Sequence, residues 1–281
     1  MILSTKTKIK IASFFSRLVL FLIASDGREV IVRRRGIKWA LKLTEAIDFM
    51  IYLLGSFEMR TISQFRKVIG KDSVVVDIGA NVGALTLPLA RMVRPSGRVF
   101  AFEPTCFAYE KLTKNISLNP ELIERIVPNQ MFLCREASDA DCPRTGASWP
   151  LSNNERAHPL ACYIEKSSDG ARRESLDNYF ENNPIERLDL IKLDVDGYEL
   201  DVLQGCLATI RRFQPKIMFE LAPYVLKECG VSSDELLAFF DDMKYSISRT
   251  SQGKEISNGD RQKLVELPDG SSINLWAIPK K

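Results

Sequence analysis

The chain has 281 residues, of which 45% are hydrophobic and 27% charged, and its net charge is +3. This supports one large domain or a core with a small appendage, and argues against a disordered chain or a dedicated nucleic-acid surface. Six scattered cysteines with no CxxC pair fit reduced thiols in a cytoplasmic protein. The single histidine, His158, excludes HExxH zinc sites and multi-histidine clusters. The charge is uneven: residues 1–42 carry ten Lys and Arg against Asp26 and Glu29, or +8, which leaves −5 for the rest.

In chain order, IASFFSRLVLFLIA (11–24) is the one membrane-like stretch. Interrupted by Arg17, it falls short of the roughly 20 apolar residues of a spanning helix. Behind Lys6, Lys8 and Lys10 it reads as a helix packed on the body, a membrane-surface helix, or a signal or anchor segment. Peripheral membrane contact through residues 6–24 is therefore an expectation beside the cytoplasmic one. A β-hairpin is expected over 28–43 around Gly36. Helices follow at 44–56, with Thr44 as cap and Gly55 as stop, and at 59–72. Residues 1–66 thus read as an extension and 67–281 as the main domain.

From Ser73 onward, short β-rich runs alternate with helical ones, which predicts an α/β fold with a doubly wound, mostly parallel sheet. Strands are expected at 73–78, 98–103, 130–134, 188–194 and 215–220, and helices at 83–93, 105–118, 174–182, 197–212 and 232–242. A closing pair, 245–250 and 273–279, is joined by a polar loop. Residues 135–173, rich in Pro and Gly, are the least regular, and a long loop in a compact domain is often functional.

In an open parallel sheet, ligands sit beyond the carboxyl ends of the strands. There the chain reads DIGANVG (77–83). Asn81 stands where a dinucleotide fingerprint needs its second glycine, and no Gly-Lys-Ser/Thr follows, so NAD and nucleoside triphosphates fit poorly. A carboxylate at Asp77 repels phosphate but suits a cation. Glu103, twenty residues after Gly83, can accept ribose hydroxyls. Asp77, Gly79, Asn81, Gly83 and Glu103 together point to S-adenosylmethionine (SAM), which carries an ammonium and a sulfonium and no phosphate.

A second constellation is LDLIKLDVDGYELDVLQG (188–205). Strand alternation puts Leu190, Lys192 and Asp194 on one side, with Asp194 emerging at the carboxyl edge. Asp196 and Gly197 make the turn, Glu199 suits the next helix's dipole, and PKIMFEL (215–221) brings Glu220 to the same rim. In-line methyl transfer to a hydroxyl needs alignment and a route for the proton, which a rim carboxylate supplies. Enzymes that methylate base amines present Asn/Asp-Pro-Pro-aromatic there, whereas this chain has DVDG. The catalytic candidates are Asp194, Asp196, Lys192 and Glu220. His158 is a candidate base by its near-neutral pKa, although a solvated loop residue is the favoured reading. Asp194 and Asp196 could hold a divalent metal, but no third ligand is evident and none is expected. Trp149 reads either as a sugar-stacking ring or as a loop anchor.

These segments, with GIKWALKLTEAIDFMIYLLGSFE (36–58), VFAFEP (99–104) and KNISLN (114–119), resemble the FkbM family of SAM-dependent methyltransferases. The resemblance implies a Rossmann-like class I methyltransferase fold. It also implies SAM at Asp77 to Gly83 and Glu103, and O-methylation of a sugar, glycan or polyketide-type secondary metabolite. The partner would be a small-molecule or glycan acceptor, not nucleic acid. The resemblance further draws Glu58 of GSFE into the cofactor or acceptor site. Asp196 departs from the glutamate more usual in the family. The competing readings are methylation of nucleic acid or protein, and a catalytically silent SAM-binding protein at a membrane.

Overall fold

The computed structural model describes residues 29–151 and 157–280, so the segment 6–24 lies outside the described residues. The chain opens with an antiparallel hairpin, β1 (Glu29–Arg34) and β2 (Ile37–Lys42), followed by helices Ala46–Leu54 and Met59–Phe65. The strands that follow are β3 (Val74–Ile78), β4 (Arg98–Phe102), β5 (Ile126–Asn129), β6 (Met131–Leu133), β7 (Thr145–Ser148), β8 (Ile164–Lys166) and β9 (Arg172–Glu174). After them come β10 (Leu190–Leu193), β11 (Lys216–Leu221), β12 (Tyr245–Ser248) and β13 (Ile273–Pro279).

Seven of these form the main sheet, in the order β12-β13-β11-β10-β3-β4-β5. Neighbours from β5 to β11 are parallel, and β13 inserts antiparallel between β11 and β12. This is the expected Rossmann-like class I methyltransferase fold. The runs VVVDI and LIKL are apolar without alternation because helices cover both faces of a parallel sheet. Val76, Ile78, Ile191, Leu193, Ile217 and Phe219 face one core layer. Val75, Leu190 and Met218 face the other, together with Trp39 and Leu41 of the hairpin and Phe49 of the next helix. Residues 29–66 therefore share a core with the sheet.

Hydrogen bonds fix the hairpin's place. The amides of Lys38 and Ala40 donate to Asn119 Oδ1 and Asn115 Oδ1, both at 2.8 Å, and Asn115 Nδ2 donates to the Val82 carbonyl at 2.9 Å. Two asparagines of KNISLN thus satisfy an edge of β2 that would otherwise lie buried and unpaired. One of them also ties it to the loop after β3.

Several expectations are corrected. The strand placed at 130–134 is not in the main sheet: the sheet edge is β5, and β6 pairs with β9 instead. Pro128 sits in β5, which only an edge strand tolerates because the residue has no N–H to give. The helix placed at 197–212 is split into Glu199–Gln204 and Leu207–Phe213. At the break, a Cβ on Gly205 would overlap the Cys134 carbonyl, so the chain is bare where β6 ends against it. The helix from 59 ends at Phe65, and Thr44 does not cap its helix, although Gly55 does stop it in a left-handed conformation at φ 81°. The loop 251–272 holds the helix Asn258–Val265, capped by Ser257. The irregular stretch 135–173 holds the β7–β8 hairpin. Among the described residues, no helix is long and apolar enough to cross a membrane.

Candidate active site

Register builds the site's centre. Lys192 and Asp77 are partners on β10 and β3, so both side chains leave the same face of the sheet. The Asp77 carboxylate is fully buried. Its Oδ2 accepts from Thr86 Oγ1 at 2.6 Å, and its Oδ1 lies 3.3 Å from Lys192 Nζ. That ammonium also donates to the carbonyls of Ile78 (3.0 Å) and Gly79 (2.6 Å) and lies 3.7 Å from Asp194 Oδ2. Burial alone would lower the Lys192 pKa, but Asp77, Asp194 and Glu58 outweigh it and hold the pKa above its ordinary value.

The glycine loop is bare for internal reasons. Gly79 has φ 74°, and a Cβ there would overlap the Asp194 carbonyl oxygen; the close neighbour is the chain's own β10 end. At Gly83, φ 87°, a Cβ would press on Leu87 Cδ1 (2.6 Å) and Leu112 Cδ1 (2.8 Å), so that glycine serves helix packing.

The loop's amides decide the ligand class. Gly79 and Ala80 donate to the Phe102 carbonyl, Asn81 to Glu103 Oε2 (2.9 Å), Val82 to Asn81 Oδ1 (2.8 Å) and Gly83 to the Ala80 carbonyl. Every N–H from 79 to 83 is already taken. A pyrophosphate, which needs a nest of free amides, finds none between residues 79 and 83. Glu103 is buried at the end of β4, and its Oε1 receives both the amide (3.0 Å) and the hydroxyl (2.6 Å) of Thr105. Oε2 takes only Asn81 and keeps a lone pair. Burial raises the Glu103 pKa against those donors.

Residues 77–247 match the methyltransferase FkbM domain. The chain belongs to the FkbM methyltransferase family. Hexuronic acid methyltransferase AglP of Haloferax volcanii is 27% identical over 196 residues, covering 68% of this chain and 72% of that protein. Methyltransferase 1 of Beauveria bassiana is 27% identical over 150 residues, and methyltransferase sdnD of Sordaria araneosa 28% over 159, covering 48% and 47% of this chain. The matched parts span 58% and 59% of those two proteins, less than two thirds of each. A crystal structure of methyltransferase FkbM from Methylobacillus flagellatus aligns with a TM-score of 0.45 at 18% identity, over 74% of this chain and 44% of that one.

In this FkbM-family chain, a cavity of about 350 Å³ opens at the carboxyl ends of β3, β4, β10 and β11. Glu58, Gly79, Asn81, Glu103, Lys192, Asp194, Asp196 and Glu220 line it. Asp77, Gly83 and His158 do not. Asp77 faces Lys192 and Thr86, and Gly83 faces its helix. The His158 ring accepts the amides of Leu160 (3.3 Å) and Ala161 (3.0 Å) at Nδ1. That leaves Nε2 to donate to Glu228 at 2.9 Å, so His158 pins its loop.

The cavity's acids are crowded. Asp196 and Glu220 are held well above the ordinary carboxylate range, first by burial and then by Asp194. Glu58 is raised for the same two reasons, although Asn274 Nδ2 donates to it at 3.0 Å. Trp149, Tyr163 and Tyr224 complete one wall, and Phe102, Met131, Phe132 and Leu133 another. Tyr224 lies just past β11, where the strand-end rule would have found it. Tyr163 sits in β-irregular sequence with no such signal.

Glu199, buried behind the rim, is pushed up to about 7 by burial, against the amides of Val195 and Gly197 that donate to it. An acid raised in the folded state holds its proton longer there than in the unfolded chain, so its contribution to stability falls as pH rises through that window. From the ordinary value of 4.5 to about 7, the loss is up to about 3 kcal/mol. Urea unfolding between pH 4.5 and 8 should show the wild type losing that much more than Glu199→Gln. Parallel profiles would refute the shift.

Proposed function

We propose that this chain is a SAM-dependent O-methyltransferase acting on a hydroxyl of a sugar, glycan or secondary metabolite. The observation that carries the reading is a set of cavity-facing carboxylates, Asp194, Asp196 and Glu220, beside a loop with no free amide for phosphate.

The residues present fit SAM. The open lone pair of Glu103 Oε2 suits a ribose hydroxyl, Phe102, Met131, Phe132 and Leu133 suit a purine, and Asp194 suits a ligand with an ammonium and a sulfonium. The volume falls within the roughly 300–1,000 Å³ of small-molecule sites. When bound, SAM supplies an electrophilic methyl group. The chain's part is to align the acceptor hydroxyl and take its proton. Asp196 is placed for that, because among the described residues nothing donates a hydrogen bond to its carboxylate. Its raised pKa also makes it a stronger base once ionised. Lys192 holds Asp194 and the Gly79 carbonyl in position, and Glu220 offers a second acceptor oxygen. The printed name of the Haloferax relative, a hexuronic acid methyltransferase, supports a carbohydrate acceptor.

Calorimetry with SAM, followed by transfer of a radiolabelled methyl group into fractionated cell extract, tests the reading. Asp196→Asn should keep SAM affinity and lose about 10²–10⁴-fold in turnover. A folded protein that does not bind SAM, or label found in RNA or protein, would overturn it.

A further inference from the structure

Resting on the O-methyltransferase reading, the geometry points to the charge of the acceptor: an alcohol that also carries an ammonium group, such as an amino sugar or another hydroxyamine. Glu58 and Glu220 set that specificity, against a wall formed by Trp149, Tyr163 and Tyr224.

Besides Glu103, four carboxyl groups line the cavity, those of Glu58, Asp194, Asp196 and Glu220. Among the described residues Lys192 is the one cation lining it, and its ammonium is already committed to Asp77, Asp194 and two backbone carbonyls. Glu58 and Glu220 receive only neutral donors, Glu58 from Asn274 Nδ2 (3.0 Å) and the Thr61 hydroxyl, and Glu220 from Ser272 Oγ (2.5 Å). Both carboxyl groups line the cavity. The aromatic rings stand in the same field. Trp149 and Tyr163 meet edge to face at 6.0 Å between centroids, and the phenols of Tyr163 and Tyr224 are shifted upward by burial, Tyr163 next by Asp196 and Tyr224 next by Glu220 and Asp196.

Carboxylates and electron-rich ring faces around one space favour an ammonium, which draws on both ion pairing and cation–π attraction. Among the described residues a carboxylate-bearing acceptor would meet four acids and no free cation, and like charges brought together at close range disfavour binding strongly. A neutral sugar would find acceptors for its hydroxyls but would bring no positive charge to the acids. This separates the chain from what the name of its Haloferax relative says of that protein. A hexuronic acid is the acceptor charge this cavity is least suited to hold.

The test uses the full chain, tritiated SAM and a deproteinised low-molecular-weight cell extract, with labelled products separated on cation and anion exchangers at pH 5. Unreacted SAM, itself a cation, is first removed on charcoal, and the label that remains should be retained by the cation exchanger. In parallel, the methyl glycosides of glucosamine, glucose and glucuronic acid are added as competitors of that labelling. The glucosaminide should inhibit at a concentration at least about 10-fold lower than the other two. Glu220→Gln and Glu58→Gln should each shrink that ratio toward one while SAM affinity, read by calorimetry, stays within a few-fold. Label in neutral or anionic products, or a ratio unmoved by both variants, overturns the acceptor charge and leaves the O-methyltransferase reading standing. SAM binding with no labelled small molecule overturns both.

Discussion

Alanine at Gly79 is expected to cost about 3–5 kcal/mol, a large share of the stability of a domain this size. Two independent penalties add. The residue sits at φ 74°, where an L side chain is strained by roughly 1–2 kcal/mol. Its Cβ would also overlap the Asp194 carbonyl oxygen. That oxygen cannot retreat, because β10 is held in register by β3 on one side and β11 on the other. Thermal unfolding should show a midpoint lowered by roughly 10 °C. Any folded fraction should turn over more than about 100-fold slower, since Asp194 is the residue displaced. Gly83→Ala is the control. At φ 87° it shares the backbone strain, but its added methyl meets the ends of two leucine side chains, which can rotate, so it should cost less, roughly 2–3 kcal/mol. Equal losses in the two variants would contradict the account of the loop as a close backbone approach.

The same contrast shows what the sequence made legible. The sheet was readable because its strands are short apolar runs separated by helical periods, and period-two alternation put Lys192 and Asp194 on one side of β10. Strand ends also place Glu103 and Glu220 at the cavity. Three things escaped, for physical reasons. β5 carries Pro128, which breaks a strand pattern yet costs nothing at a sheet edge, so the neighbouring Met131–Leu133 was read in its place. The direction in which a buried carboxylate points depends on its partner. Asp77 turns to a lysine 115 residues away that only strand pairing brings beside it. His158 looks like a base from its chemistry alone, and only the fold shows both ring nitrogens in use, on two amides and on Glu228.

Lys192→Met is expected to be the other severe substitution. Methionine fills similar volume, so the loss isolates the charge. The change strands the Asp77 carboxylate in the core with only the Thr86 hydroxyl and strips the Ile78 and Gly79 carbonyls of their shared donor. Breaking one side of a buried pair in this way costs about 3–5 kcal/mol. If the cost is the orphaned charge, removing that charge should return much of it. Asp77→Asn combined with Lys192→Met should then be at least about 2 kcal/mol more stable than the two single losses added together. Urea unfolding of the four proteins closes the cycle, and strict additivity would mean that the two side chains act independently. Activity should not return with stability. The double variant still lacks the ammonium 3.7 Å from Asp194 Oδ2 that sets the rim carboxylate against the cavity. A refolded but inactive double variant is therefore the outcome that assigns Lys192 both roles: counter-ion to Asp77 beneath the loop and positioning group for Asp194 above it.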